Sequence, residues 1–271
     1  MTAAAQSPAG TAAGQSDAIL EVSNLTRVFG GVRAVDDCSF RVRRGTITGL
    51  IGPNGAGKTT AFNLISGFLK PTSGTIVFDG ERIDGLPPHV IARKGLVRTF
   101  QIPKPLGSMT VLENLVLVPM GQEGERVWNA WFRPGLVGQR EREIIDRALA
   151  VLEYVDLIRL RDEYAANLSG GQKKLLELAR TLMAEPKMIL LDEPGAGVNR
   201  TLMRRLVGYI EELCYERGIT MFIIEHDMDL VARLCNPVIV MSEGTHLCEG
   251  TPEEVRNNPQ VLEAYLGGQY R

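Results

Sequence analysis

The sequence predicts an α/β fold in which an antiparallel β layer precedes a parallel sheet and a helical insertion interrupts the core. Residues 18–51 form short β-branched segments separated by polar turns, a pattern typical of antiparallel strands leading into a buried strand. From about residue 170, helices alternate with apolar strands, which indicates a parallel sheet with right-handed crossovers. The stretch between them, about 102–175, is mainly helical in character.

The composition favours a soluble globular protein and argues against nucleic acid as a partner. The 271 residues carry 30 basic and 32 acidic side chains, and a net charge of −2 gives no basic field. No apolar run approaches the ~20 residues that cross a bilayer, so any membrane role is expected from outside it. The four cysteines form no C-x-x-C pair and are predicted to be free thiols. Residues 1–16 are predicted to be a disordered tail.

The individual elements follow from hydrophobic periodicity and from the residues that break it. Strands are predicted at 18–29, 32–42, 46–52, 75–79, 188–192, 220–225 and 237–241. Helices are predicted at 58–69, within 111–160, at 170–184, 200–217 and 227–234, and as two short segments in 251–267. The first helix is expected to end at Lys70-Pro71.

The strongest chemical signal is the segment GPNGAGKT, which matches G-x-x-x-x-G-K-[ST] between a predicted strand and a predicted helix. Glycines let the backbone fold around phosphate groups, and the amides at the helix start face the anion. Lys58 is predicted to reach the β and γ phosphates, and the Thr59 hydroxyl to bind Mg²⁺. The residues predicted to hold the nucleotide phosphates are Gly52, Pro53, Asn54, Gly55, Ala56, Gly57, Lys58, Thr59 and Thr60.

A second signal is the apolar strand MILLD, which delivers two adjacent carboxylates, Asp192 and Glu193, before Pro194. The carboxyl end of such a strand is the ligand position of an open α/β sheet. Because neighbours on a strand point in opposite directions, the two acids are expected to have different roles. Asp192 is predicted to hold Mg²⁺, and Glu193 to act as general base on the attacking water. The alternative is that Glu193 only caps a turn.

A third segment, LSGGQ, opens the predicted helix that begins at about residue 170. Ser169 is a plausible N-cap, and the exposed amides at that helix start form a second anion site. A single small domain has no evident use for two phosphate cradles, whereas a dimer does if each subunit contributes its second cradle to the nucleotide on the other. The alternative is a flexible cap. The residues predicted for this second site are Ser169, Gly170, Gly171 and Gln172.

These segments together resemble the nucleotide-binding subunits of ABC transporters, over about residues 18–267. The resemblance implies a P-loop ABC ATPase domain at 17–267, with a helical subdomain at about 102–175 and short C-terminal helices at about 251–267. It implies that Phe29 stacks on adenine, with a core aromatic as the alternative. It implies that Gln101, in RTFQ, is a switch that senses Mg²⁺, and that His226 contacts the γ phosphate. The implied catalytic residues are Glu193, His226 and Gln101, and the implied metal ligands are Thr59, Gln101 and Asp192.

One departure from the family pattern points to a branch within it. The loop after LLDEP often reads S-A-L-D in this family, whereas here it ends in Asn199, which puts the role of the usual aspartate in doubt. The form A-G-x-N resembles the branch that serves branched-chain amino acid import, as do RTFQ, the insertion around 128–139 and the ending NPQVLEAYLG. Within that branch the chain resembles the longer of two paired ATPases. Trp128, Trp131 and Phe132 could contact a permease or pack the subdomain.

The resemblance implies an ATP- and Mg²⁺-dependent ATPase at the cytoplasmic face of the inner or plasma membrane. Its implied partners are two transmembrane permease subunits, a second ATPase (a paralogue or a second copy) and, through the permease, an extracytoplasmic solute-binding protein. The implied cargo is branched-chain amino acids or similar small polar solutes. The alternatives are a lipopolysaccharide-export ATPase or a urea or amide importer. An ABC ATPase of DNA repair or translation is disfavoured, since the chain has no coiled-coil arm, zinc-bearing insert or second cassette.

Overall fold

A computed structural model describes residues 17–99, 105–119 and 134–267. The predicted tail, the predicted switch residue Gln101 and the aromatic residues Trp128, Trp131 and Phe132 lie outside these ranges. The sequence-based statements about them therefore stay predictions.

The predicted antiparallel layer is present and is a sheet of four strands, of which the short strand Glu81–Arg82 was not predicted. Its strands are β1 (Ala18–Phe29), β2 (Val32–Arg43), β4 (Ser73–Phe78) and β5 (Glu81–Arg82), in the order β2-β1-β4-β5. Along β2 the buried residues include Val35, Cys38, Phe40 and Val42, with more exposed neighbours between them. This alternation indicates one face against the core and one towards solvent.

The second sheet has six strands, and it positions the chemistry. It contains β3 (Ile47–Ile51), β6 (Leu96–Arg98), β7 (Met188–Asp192), β8 (Thr220–Ile224), β9 (Val238–Ser242) and β10 (Thr245–Gly250), in the order β10-β9-β3-β8-β7-β6. All pairs are parallel except β9–β10. The central strands β3, β7 and β8 are buried throughout, as expected of parallel strands covered on both faces. Strand β6 was not predicted, because three residues are too few to show a period.

The helices lie mostly at the predicted positions, but the short helix at Pro88–Arg93 was not predicted and the first helix is shorter than predicted. They are α1 (Lys58–Ile65), α2 (Pro88–Arg93), α3 (Val111–Val116), α4 (Pro134–Tyr154), α5 (Gly170–Met183), α6 (Arg200–Tyr215), α7 (Met228–Leu234), α8 (Pro252–Asn257) and α9 (Pro259–Gly267). The prediction that α1 reaches residue 69 is wrong. It stops at Ile65 because Gly67 follows the cap at φ 78°, a left-handed stop. Of the helices in the described ranges, none combines the length and apolar character needed to cross a bilayer.

Three apolar clusters hold the described residues together. One lies between the two sheets and includes the rings of Phe62 and Phe222, whose centroids are 5.0 Å apart. A second covers the other face of the parallel sheet with side chains of α5, α6 and α7. The third joins α3, α4 and the inner face of α5. The helical region thus has its own core, while the exact subdomain limits stay a prediction.

An ion-pair junction joins residues that flank strands of the two sheets. The Asp79 carboxylate, after β4, accepts hydrogen bonds from Lys187, which precedes β7, and from Arg44, which follows β2. The bond from Lys187 and then that from Arg44 hold the pKa of Asp79 below its usual value. Because Asp79 has a positive φ of 51°, it also ends β4 in a turn.

The four cysteines are free thiols, as predicted. Cys38, Cys214 and Cys235 are buried and Cys248 is half-buried. Burial raises the pKa of Cys38 and Cys235 to about 12. These thiols therefore stay protonated at neutral pH and serve as small apolar side chains.

Candidate active site

Three of the segments singled out in the sequence end at one edge of the parallel sheet. Strands β3, β8 and β7 are neighbours, and their register pairs Leu50 with Ile224 and Ile224 with Asp192. The glycine-rich loop, His226 and Glu193 therefore follow these strands at the same edge. The carboxyl ends of parallel strands are where ligands bind in open α/β sheets.

The glycine-rich loop has a shape that side chains would obstruct. A Cβ at Gly57 would lie 2.4 Å from the Ala34 carbonyl oxygen, and one at Gly52 would lie 2.1 Å from that of Met241. Gly57 has φ 94° and is the N-cap of α1, which has no side-chain cap and no acidic residue in its first turn. The first amides of α1 are thus available to an anion.

Lys58 lies inside this loop and close to the two predicted carboxylates. Its ammonium donates to the carbonyl oxygens of Gly52, at 2.7 Å, and Pro53, at 2.9 Å. Burial lowers the pKa of Lys58, and the negative charges of Glu193 and Asp192 oppose that shift. The structure therefore brings one cation and two anions together around the loop, and the Lys58 ammonium is the member of this group that would offset phosphate charge.

Asp192 is buried and paired with Arg98, a residue for which no role was predicted. Its Oδ2 lies 2.7 Å from the Arg98 guanidinium, which also donates to Asn63 Oδ1 at 2.6 Å. Both charged side chains are less than a tenth exposed. The pair ties the end of β7 to α1 and to the edge strand β6.

The described residues include no group of three or more His, Cys, Asp or Glu side chains placed to hold a metal ion. The predicted ligand set does not require one, since it contains a single carboxylate, Asp192, with the Thr59 hydroxyl at the start of α1 and with Gln101, which lies outside the described residues. Hard oxygen donors of this kind, completed by phosphate oxygens and water, fit Mg²⁺.

Glu193 is oriented differently from Asp192, but the cause is not the predicted alternation along a strand. Strand β7 ends at Asp192, and Glu193 turns out of it at φ 47°, with its amide donating to the Ile224 carbonyl at 3.0 Å. The expectation that strand alternation separates the two acids is therefore wrong. Glu193 Oε1 lies 3.8 Å from Nδ1 of His226, whose side chain is about two-thirds exposed. A left-handed backbone at a non-glycine residue is strained, and such strain clusters at functional sites.

The LSGGQ segment forms a capped and exposed helix start. Ser169 is the N-cap of α5, as predicted: its hydroxyl accepts from the Gln172 amide at 3.3 Å, and Gln172 Oε1 accepts from the Ser169 amide at 2.8 Å. Ser169 and Gly170 are exposed. The cap fixes the helix start, and the exposure of its first residues leaves room for an anion there.

Phe29 ends β1 and is 40% exposed, so the alternative of a core aromatic is wrong. The Arg27 guanidinium lies 4.5 Å from the centre of its ring. A ring held in this way at the surface offers a face on which a base could stack.

Asn199 has a definite local role. It is the N-cap of α6, and its side-chain oxygen accepts from the Leu202 amide at 2.9 Å. An aspartate would cap the same helix start, so the amide keeps this hydrogen bond and removes one negative charge.

Sequence reasoning missed three charged residues around the site. Arg98 lies in the segment RTFQ and Glu225 immediately precedes His226, but their partners lie far along the chain. Lys174, in α5, donates to two carbonyls of the loop after Glu193. No local pattern reports such pairings, because they depend on how the strands are ordered.

A large cavity among the described residues lies away from these groups. It has a volume of about 690 Å³ and borders Gly95 and Lys187, which precede β6 and β7. It is thus near the amino ends of these strands, opposite the edge at which the motifs meet, and ion pairs such as Lys94–Glu81 lie along it.

Two protein-family models match the chain. Residues 35–196 match the ABC transporter family, and residues 245–271 match the branched-chain amino acid ATP-binding cassette transporter family. A probable branched-chain amino acid transport ATP-binding protein, LivG, of Archaeoglobus fulgidus is 44% identical over 93% of this chain and 96% of its own length. A high-affinity branched-chain amino acid transport ATP-binding protein, BraF, of Pseudomonas aeruginosa is 43% identical over 92% of this chain and 98% of its own.

Solved structures give the same result for the fold. A nucleotide-free ATP-binding cassette from an ABC transporter superposes with a TM-score of 0.78 at 40% identity, covering 91% of this chain and 98% of that one. The ADP conformation of MJ1267, an ATP-binding cassette of an ABC transporter, gives 0.78 at 38% identity, covering 93% and 100%. The predicted fold is confirmed.

Proposed function

Because the chain belongs to the ABC transporter family of ATP-binding subunits, we propose that it powers the import of branched-chain amino acids or similar small polar solutes. Its activity is ATP hydrolysis, as in that family. The cargo is the proposed part, and the names of the relatives at 40–44% identity support it. The C-terminal match at 245–271 supports it independently, because it lies outside the ATPase segment matched at 35–196.

The observation that carries the proposed mechanism is the meeting of Lys58, Asp192, Glu193 and His226 at one strand edge. Lys58 and the first amides of α1 would bind the β and γ phosphates. Glu193 would accept a proton from the attacking water, and His226, exposed beside it, would contact the γ phosphate. The strained backbone of Glu193 holds its carboxylate in place before the nucleotide binds, so less reorganisation is needed during reaction.

Thr59 and Asp192, with Gln101, would hold Mg²⁺. When bound, this ion neutralises phosphate charge and orients the phosphoryl group. Within the chain, Arg98 fixes the position of the Asp192 carboxylate through a buried ion pair. Phe29 would orient the base from the end of the antiparallel sheet.

The exposed start of α5 supports a dimer as the working form. Its amides at Gly170 and Gly171 would meet the γ phosphate of a nucleotide held by a second ATPase subunit. Binding energy at this shared site would close the pair, and hydrolysis would reopen it. The second subunit would be a paralogue or a second copy. Permease subunits at the cytoplasmic face of the membrane would convert this motion into uptake of a solute delivered by an extracytoplasmic binding protein.

The test is purification of the tagged full chain from its own membranes, with mass spectrometry of the co-purified proteins. We expect two multi-span permeases and a second ATPase. The recovered complex is then reconstituted into vesicles and given labelled leucine and labelled urea, with a complex carrying Glu193→Gln as the matched control. ATP-dependent leucine uptake that is absent from the control supports the proposal. Urea uptake without leucine uptake, or recovery with export components, would overturn the cargo assignment while leaving ATP hydrolysis unaffected.

A further inference from the structure

Two side chains of opposite charge hold the loop that follows Glu193. The Lys174 ammonium, from α5, donates to the carbonyl oxygens of Pro194, at 2.9 Å, and Ala196. The Glu225 carboxylate, at the end of β8, accepts from the Gly195 amide at 2.9 Å. Three successive residues after the proposed general base are thus fixed through backbone groups by two charges from separate elements.

The Glu225 carboxylate is buried, and both of its oxygens accept hydrogen bonds. Its side chain is 2% exposed, and its second oxygen accepts from the His226 amide at 3.2 Å. A buried carboxylate is costly unless it is paired or hydrogen-bonded. Burial lowers the pKa of Lys174, and the charges of Glu177, Glu225 and Glu193 oppose the shift. The two charges therefore compensate each other across the loop.

The loop packs closely against neighbouring side chains at Gly195. A Cβ at Gly195 would lie 2.8 Å from Met203 Cε and 2.9 Å from Glu225 Oε1. Glu193, two residues earlier, has the left-handed φ of 47°. A strained residue keeps such a conformation only where the surrounding structure over-determines it. The contacts of Lys174 and Glu225 supply that constraint.

The same helix that carries Lys174 begins at the second anion site. Gly171 also touches α6, since a Cβ there would lie 2.4 Å from Leu202 Cδ2, and Asn199 caps that turn of α6. The anion site, the loop and the start of α6 are thus packed as one unit within the chain.

We infer that Lys174 and Glu225 are positioning residues for ATP hydrolysis: they fix the 194–196 loop so that Glu193 meets the attacking water, and they join it to the anion site at the start of α5. The second half of this inference rests on the dimer of the proposed function. The first half requires only that the chain hydrolyse ATP. A displacement of a catalytic group by about 1 Å can cost about 100-fold in rate, so loss of these contacts should be visible in turnover.

The test compares Lys174→Met with Lys173→Met in the purified full chain. Lys173 lies in the same helix but donates to the Ala166 carbonyl instead of the loop, so it controls for loss of charge. We expect Lys174→Met to lower kcat at least ~10-fold while the KM for ATP changes less than ~2-fold, the pattern of an interaction that acts on the reaction step. Lys173→Met should stay near wild type, and Lys174→Arg, which keeps two donors, should recover most of the turnover.

Glu225→Gln provides the second arm, because it keeps the shape of the side chain and removes its charge. It should lower kcat with little change in KM, and the double variant Lys174→Met/Glu225→Gln should be less impaired than the product of the single effects. Equal losses in Lys174→Met and Lys173→Met, or a loss confined to KM, would overturn the inference. These assays contain no permease or cargo, so failure of the import proposal would leave them unchanged.

Discussion

The buried pair of Arg98 and Asp192 offers the sharpest test of how the site is held. The two side chains are 5% and 9% exposed, and their charged atoms are 2.7 Å apart. Replacing Arg98 by Met keeps most of the apolar stem and removes the charge. The Asp192 carboxylate would then be buried without its cation, at the end of the strand that leads to Glu193.

The expected size follows from this geometry. Two unit charges 2.7 Å apart attract by about 6 kcal/mol at an effective dielectric constant of ~20. Much of this attraction offsets the cost of removing both charges from water. Removal of one partner leaves the other charge buried without compensation, which lowers the free energy of unfolding by about 3–5 kcal/mol in buried pairs. For a chain of this size, that loss corresponds to a fall in Tm of roughly 6–20 °C.

The assay is urea unfolding followed by circular dichroism, with Arg140→Met as the matched control. Arg140 pairs with Glu143 at 2.9 Å, but both side chains are about half exposed or more, so its loss should cost less than about 1 kcal/mol. The double variant Arg98→Met/Asp192→Asn removes the unpaired charge and should regain at least ~1 kcal/mol over Arg98→Met. If Arg98→Met and Arg140→Met cost the same, or if the double variant regains nothing, the reasoning about an uncompensated buried charge is refuted.

The site and its supports lead to three more expected outcomes. Glu193→Gln should still bind ATP but release phosphate at least ~100-fold more slowly, the scale of a lost general base; near-normal turnover would contradict that role. Gly57→Ala should weaken ATP binding at least ~10-fold in titration calorimetry, because its Cβ would lie 2.4 Å from the Ala34 carbonyl oxygen. Gly218→Ala has a similar positive φ but open space around its Cβ, so equal weakening there would exclude the steric explanation. Asp79→Asn should lower the free energy of unfolding by about 0.5–1 kcal/mol at pH 7. Because hydrogen bonds depress the pKa of Asp79 in the folded state, the wild-type advantage should be full above the unfolded pKa of ~3.9 and disappear as pH falls through the lower folded value. If the wild type stays more stable than Asp79→Asn below that pH range, the stabilisation does not come from the ionised Asp79 carboxylate.

The parts of the site that sequence predicts well are those whose chemistry is contiguous. The loop from Gly52 to Lys58 needs glycine at positions where a side chain would obstruct the backbone, and this need is visible in the sequence itself. Ser169 likewise directly precedes the helix that it caps. The alternation of strands and helices then predicts that the loop and Asp192 share a sheet edge. These inferences need only local pattern and a general rule of topology.

The parts that sequence does not predict depend on which strands become neighbours. Arg98 reaches Asp192 across 94 positions of the chain, and it does so from β6, a strand too short to show a period. Glu225 reaches Gly195 across 30 positions, from the residue after β8 to the loop after the adjacent β7. Nothing in the immediate neighbourhood of either charge indicates its partner. A buried charge in an apolar strand signals that a partner exists, but only the strand order identifies it.

The wrong prediction about Glu193 shows how local sequence pattern and strand order combine. Alternation along a strand would have separated the two carboxylates without backbone strain. The chain instead separates them by a strained turn immediately after Asp192. Such a turn needs external support, and the residues that provide it, Lys174 and Glu225, lie on elements that also carry the second anion site and His226. The support of the catalytic carboxylate is therefore built from the structures that would contact the γ phosphate. A nucleotide bound across a dimer would act on the same loop from both sides, so the positioning of Glu193 and the closure of the dimer are expected to respond to the same substitutions.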